Sequence, residues 1–232
     1  MALVKFGGGI TQMSGSIGGN TFARNRYGNY VRAKTTPINP NTALQQTVRA
    51  AMAFLTDRWS QDLTAAQRIA WNLYATSVQV KNRLGEDCYL SGFNHYIRSN
   101  MILKQLGLTI VDAGPTTFEL PEQDPTLAVT GSEATQVLSV VYDDTLPWCD
   151  EDEAHMFLFQ GTPQNAQRNF FAGPWRAGVP VSGDSVAPPA SPEAMAAVFA
   201  VAELQRTWIY ARIIRADGRL SNPFRADCFI AA

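Results

Sequence analysis

Leu44, Val48, Met52 (or Ala51), Leu55 and Trp59 recur at helical spacing, and this row predicts a helix over roughly 42–60. Thr42 with Gln45 fits a capping box at its start, in which each side chain satisfies a backbone N–H that the first turn leaves orphaned. Thr64 and Gln67 repeat the pattern, and Ile69, Ala70, Leu73, Tyr74 and Val78 supply an apolar face with Trp71 beside it, predicting a second helix over 65–78. So short a join leads us to expect an antiparallel helix hairpin with Trp59 and Trp71 in its core. Residues 79–92 read as a loop or short hairpin centred on Gly85. A third helix is expected from Ser91 to Leu106 on the strength of Phe93, Ile97, Met101, Ile102 and Leu106, with Gly107 as its C′ residue.

The pattern changes near Asp112. Gly114, Pro115, Pro121 and Pro125 mark 112–126 as a Pro-rich linker, and beyond it the period becomes that of strands. Expected strands are Thr135–Tyr142, His155–Gln160, Asn169–Phe171, Met195–Leu204, Thr207–Arg215 and Arg225–Ile230, with Asp217-Gly218 as a turn. The run from Pro192 to Leu204 is ambiguous and reads equally as helical at its start. Short strands at turn-punctuated spacing point to an antiparallel β-sandwich over 127–232. The run from Trp208 to Pro223 resembles the penultimate strand and turn of fibronectin type III-like domains, which implies an Ig/fibronectin type III-like binding or spacer module. The expected class is therefore α+β: an arm at 1–40, a helical domain at 41–111, the linker, and the sandwich.

Residues 1–40 follow neither period over most of their length. They hold seven glycines and the cations Lys5, Arg24, Arg26, Arg32 and Lys34, while the first acid in the chain is Asp57. Glycine at this density loses much backbone entropy on ordering and buries no side chain. The segment reads as an extended basic arm that becomes ordered on an anionic surface, with a solvated tail as the alternative. Ile17–Asn25 and Tyr30–Lys34 are expected to pair across Arg26-Tyr27-Gly28-Asn29, since Gly28 and Asn29 tolerate a tight turn.

The formal net charge of −1 conceals a division. Residues 1–111 carry twelve Lys or Arg against four acids, a net of +8, whereas 112–232 carry seven Arg against sixteen acids, a net of −9. Oppositely charged halves favour contact between copies, or between the halves of one copy. The three cysteines, Cys88, Cys149 and Cys228, form no C-x-x-C pair, so reduced structural thiols are expected. No long apolar leader or membrane-length run is present, and no membrane partner is expected.

Candidate chemistry is sparse. The histidines, His95 and His155, sit in no G-x-S-x-G or H-E-x-x-H context, and His95 reads as a surface or capping group. Gly7-Gly8-Gly9 and Gly18-Gly19 are followed by no phosphate-binding G-K-[ST]. The acids Asp143, Asp144, Asp150, Glu151, Asp152 and Glu153 suit Ca²⁺ by type, but their spacing is not that of an EF-hand. No enzyme activity, cofactor or metal is expected. A solvated loop or a basic partner suits the acids better, and contact with an arm is the preferred use of Asp150, Glu151, Asp152 and Glu153. On the arm, Phe22, Arg24, Arg26, Tyr27, Tyr30, Arg32 and Lys34 are the expected docking residues; their mixture of cations and aromatics also suits nucleic acid. Trp175, between Pro174 and Arg176, is the loop aromatic that a glycan-binding reading would need, though a core or edge place suits it better.

The stretch Gly15-Ser-Ile-Gly-Gly-Asn-Thr-Phe-Ala-Arg-Asn-Arg-Tyr-Gly-Asn-Tyr-Val-Arg, followed by Pro37-Ile-Asn-Pro-Asn-Thr with Gln45 and Arg49, resembles a family of uncharacterised, virion-associated proteins of tailed phages and prophages. Trp59, Leu63-Thr64, Gln67-Arg68, Ala70-Trp71, Ala75 and Leu90-Ser91-Gly92-Phe93 with Tyr96 continue the likeness to about residue 110. The family's pattern holds no catalytic residues. It implies a structural role in a virion assembled in the host cytoplasm, with other virion proteins and copies of the same chain as partners. Capsid decoration or a minor capsid component is the leading expectation, and a tail or head–tail accessory protein the next.

Overall fold

The computed structural model describes residues 2–25, 28–82 and 84–232. Its first strands are β1 (Ala2–Leu3), β2 (Gly15–Ile17), β3 (Asn20–Asn25) and β4 (Gly28–Ala33), which form one sheet in the order β1-β4-β3-β2. The arm is therefore a folded meander rather than an extended segment with a single hairpin. Gly18, at φ +57°, makes the two-residue turn that sets Ile17 opposite Asn20. Asn25 pairs with Gly28, so positions 26 and 27 alone lie between β3 and β4, and Gly28 and Asn29 belong to the strand and not to the turn.

The helices are α1 (Ala43–Asp57), α2 (Ala65–Ser77) and α3 (Gly92–Leu106), with β5 (Gln79–Lys81) and β6 (Asp87–Tyr89) pairing between the last two. Both capping boxes form: Thr42 Oγ1 accepts from Gln45 N–H at 3.4 Å, and Thr64 Oγ1 accepts from Gln67 N–H at 3.3 Å. Ser91 caps α3, and Gly107 ends it in the left-handed conformation at φ +75°.

The helices are not arranged as the expected hairpin: α1 and α2 each pack on α3 rather than closing on one another. A π-helical turn, Arg58–Asp62, extends α1, and the extended residue Leu63 then leads into α2. Leu63 is itself buried with Leu55, Trp71, Tyr74, Val78 and Tyr96, and Trp59 packs on Phe93 and Tyr96. Asp112 fastens this cluster. Its carboxylate accepts from Arg58 Nε and Nη2 at 2.8 and 2.5 Å and from the Tyr96 hydroxyl at 3.2 Å, and its carbonyl accepts from Trp71 Nε1 at 3.0 Å.

Residues 112–126 form a packed strap instead of a linker. A Cβ on Gly114 would lie 2.6 Å from Trp71 N, so glycine is needed for the strap to lie flat on α2. Ile110 and Leu120 join the helical cluster, while the buried Asp124 accepts from Thr126 N–H at 2.7 Å and Asp143 N–H at 2.9 Å.

The strap leads to β7 (Ala128–Ser132), β8 (Val137–Val141), β9 (His155–Gly161), β10 (Gln164–Asn165), β11 (Trp175–Ala177), β12 (Val181–Ser182), β13 (Glu193–Ala196), β14 (Gln205–Ile214) and β15 (Phe224–Ala231). They run β11-β9-β14-β15-β7-β8-β13, with β10 on β14 and β12 on β9. The pairing is mixed, because β15 meets β7 in parallel through Ile230 and Gly131. Leu138, Val140 and Met195 from one end of this path share a buried cluster with Met156, Leu158, Ile209, Ala211 and Ile213 from the other. Alternate residues of β9 and β14 leave on the opposite side, where Phe157, Ile214 and Leu220 bury Leu103 of α3. Helices and strands thus share a core. Class α+β holds, and the boundary expected at 111 falls inside packed structure.

Two strand expectations fail. Asn169–Phe171 is irregular, with Phe171 stacked on Trp208 at 5.4 Å; the run expected to reach Leu204 is strand only over Glu193–Ala196. Beyond it, the side-chain amides of Gln160 and Gln136 substitute for ladder partners. Gln160 bonds Phe199 N and O at 2.9 Å each, and Gln136 bonds Val201 N and O at 3.0 and 2.8 Å.

Candidate partner-docking site

Strand alternation divides the meander into two faces. Phe22 stands opposite Val31 and shares its face with Arg24, whereas Tyr30 stands opposite Ala23 and shares the other face with Arg32. The expected docking residues therefore form two patches and not one. Phe22 and Tyr30 are half-buried, while Arg24, Arg32 and Lys34 are exposed. Arg26 and Tyr27 lie outside the described residues. Among the described residues of the meander none is buried, and β2 is exposed throughout at the sheet's edge. One anchor to the body is the ion pair of Lys5 with Glu86, whose pKa is lowered first by the hydrogen bond from Lys5.

The helices that follow the meander in the chain show apolar rows expected to lie in a core. On α1, the row 44–48–51–55 is buried at Ala51 and Leu55, where α3 covers it, but Leu44 and Val48 are 58% and 38% exposed. On α2, Trp71, Tyr74 and Ala75 face the core, while Ile69 and Leu73 point away and are 64% and 53% exposed. The signal was present in the sequence: α2 carries apolar residues around more of its circumference than one buried stripe needs.

The acidic stretch is used largely within its own chain. Glu151 pairs with Arg215, and Asp152 accepts from Ser185 N–H at 2.8 Å and from its hydroxyl at 3.1 Å. Asp143 caps the Thr145 amide at 3.0 Å, and Asp144 accepts from Ser191 N–H at 3.2 Å. Asp150, Asp152 and Glu153 are exposed, and of these Asp152 is engaged by Ser185, which leaves Asp150 and Glu153 better placed for a partner. No group of three or more potential metal ligands occurs among the described residues.

His95 is buried instead of lying on the surface, packed edge-on against Tyr74 at 5.0 Å, and burial pushes its pKa down to about 4. Burial likewise raises the Cys149 thiol to about 12 and Cys228 to about 11, so neither is a ready nucleophile. Trp175 packs against Phe171 at 5.0 Å, and the Arg225 guanidinium stands 5.3 Å over its ring. Its face is thus already occupied. No helix is long and apolar enough to cross a membrane among the described residues.

No protein-family model and no curated protein matches the sequence. Among solved structures, an Fn3-like protein from Clostridium thermocellum aligns with 49% of this chain and 97% of its own, at 8% identity and a TM-score of 0.32. A family 76 glycoside hydrolase from a bovine Bacteroides thetaiotaomicron strain aligns with 48% of this chain at 16% identity and a TM-score of 0.31. The aligned part spans 21% of that hydrolase's length.

Proposed function

We propose that this chain is a non-enzymatic structural protein of a phage particle, a capsid decoration or minor capsid component that docks through its N-terminal region onto neighbouring subunits. One observation carries the reading: a meander with no buried residue among those described precedes two helices that turn apolar rows to solvent, all within the half that carries +8. A three- or four-stranded sheet of this size gains stability by covering an apolar face, and an open edge strand invites addition of another. The −9 half of a second copy, with Asp150 and Glu153 exposed, is complementary in charge. In this reading the β part is an Ig/fibronectin type III-like sandwich that serves as a spacer. A tail or head–tail accessory protein would use the same surfaces.

Two changes to the full chain test the proposal: deletion of residues 2–36, and the pair Val48→Glu with Ile69→Glu. None of the three buried clusters includes a residue before Leu55, so both products are expected to stay folded. Both should lose assembly in light scattering and electron microscopy. Particles or filaments indistinguishable from wild type in both cases would reject the proposal. Tyr30 and Arg32 on one face of the meander also suit a nucleic-acid strand, and a DNA mobility shift that persists near 150 mM salt would favour that reading instead.

A further inference from the structure

A second feature lies far from the meander, in the groove where α3 crosses the outer face of β9, β14 and β15. Its volume is about 460 Å³, and Arg98 of α3 and Arg212 and Arg225 of the sheet all line it. Register explains the convergence. Arg212 lies opposite Phe157 and Tyr210 opposite both Phe159 and Arg225, so cations and rings leave the sheet on the same side.

These three arginines differ from others nearby. Arg58, Arg206, Arg215 and Arg219 each meet a carboxylate. The groove is lined by no Asp or Glu, although the C-terminal half holds sixteen acids. Arg212 is held by two hydrogen bonds to the Ser221 carbonyl, at 3.2 and 3.0 Å, and by the Tyr210 side chain, and meets no carboxylate in the groove. Arg225 lies at the rim, with its guanidinium 5.8 Å from the Tyr210 ring. Arg98 makes no hydrogen bond or ion pair among the described residues. Burial, and then the neighbouring Arg212, pull its pKa down to about 10. Burial also lowers that of Arg212. Desolvating adjacent cations without a counter-charge is unfavourable, and folding alone gains nothing from it. A bound anion would relieve it, and guanidinium forks match the oxygens of phosphate and carboxylate.

We infer that this groove binds a small organic anion, a phosphate or carboxylate borne on a planar group. Arg98 and Arg212 hold the charged end, Arg225 closes the rim, and Phe159 and Tyr210, both half-buried, contact the ring. Aromatic walls with a few convergent polar groups are the usual make-up of a small-molecule site.

The test uses the full chain with phenyl phosphate and inorganic phosphate as probes, at constant ionic strength, read by calorimetry and thermal shift. Phenyl phosphate should bind and raise Tm, and do so more strongly than inorganic phosphate. Arg98→Met should raise the Tm of the ligand-free protein by removing a half-buried charge that meets no carboxylate, while weakening phenyl phosphate binding at least tenfold. Arg98→Lys, which keeps the charge but loses the fork, should fall between them. Absence of heat and Tm shift at millimolar phenyl phosphate would overturn the inference. So would undiminished binding by Arg98→Met, or phenyl phosphate binding no tighter than inorganic phosphate.

Discussion

Burial holds His95 neutral, with no hydrogen-bond partner for Nε2 among the described residues, and this makes stability depend on pH. The unfolded chain takes up that proton near the ordinary histidine value of 6.5, whereas the folded chain does so only near 4. Between these values the unfolded state binds more protons. The contribution is therefore complete above pH 6.5 and is lost as pH falls towards 4, with a slope of at most about 1.4 kcal/mol per pH unit. Burial lowers the pKa of His155 as well, so its effect has the same sign. Urea midpoints at pH 7, 6 and 5 should fall in wild type and fall less in His95→Phe. Asp112 is the other single residue with wide reach. Asp112→Ala would leave the Arg58 guanidinium, 31% exposed, with its longer contact to Asp62 at 3.6 Å and would free the Tyr96 hydroxyl, and should cost about 1–3 kcal/mol in urea unfolding.

The elements divide by how far away their supports lie. Thr42 and Thr64 were legible because a capping box closes within four residues. The stretch after β13 was not, since its partners are the Gln136 and Gln160 side chains, 65 and 39 positions distant from Val201 and Phe199. Docking residues were legible by type and not by side: only the pairing of Phe22 with Val31 sends Tyr30 to the opposite face. Likewise Asp112 read as the start of a linker, because nothing local announces a residue whose carboxylate holds Arg58 and Tyr96 while its backbone carbonyl holds Trp71. The two caps make a paired prediction. Thr64→Ala should lower global stability by about 1 kcal/mol, since α2 is packed along its length. Thr42→Ala begins a helix whose first two turns are exposed, so it should leave the urea midpoint nearly unchanged and speed amide exchange over residues 43–48.

In the whole molecule, the contacts that join the helices to the C-terminal β part include Leu103 among Phe157, Ile214 and Leu220, Gly218 against the Trp71 ring, and the strap across α2. A Cβ on Gly218 would lie 3.0 Å from that ring, so the backbone packs closely on it. Residues 43–232 should accordingly melt in one transition, with calorimetric and van 't Hoff enthalpies agreeing, and amide exchange in the meander should proceed ahead of it. Gly114→Ala should lower that single transition by about 1–3 kcal/mol instead of splitting it in two.

The antiparallel ladder of the meander also has a mechanical meaning. Tension applied at Ala2 loads its rungs one after another, as in a zip, while the body beyond Thr42 is held by many side chains resisting together. Opened, residues 2–42 would pay out roughly 140 Å of backbone. A molecule anchored by its first strand could thus follow a moving neighbour over that distance with its helices and sheet undisturbed.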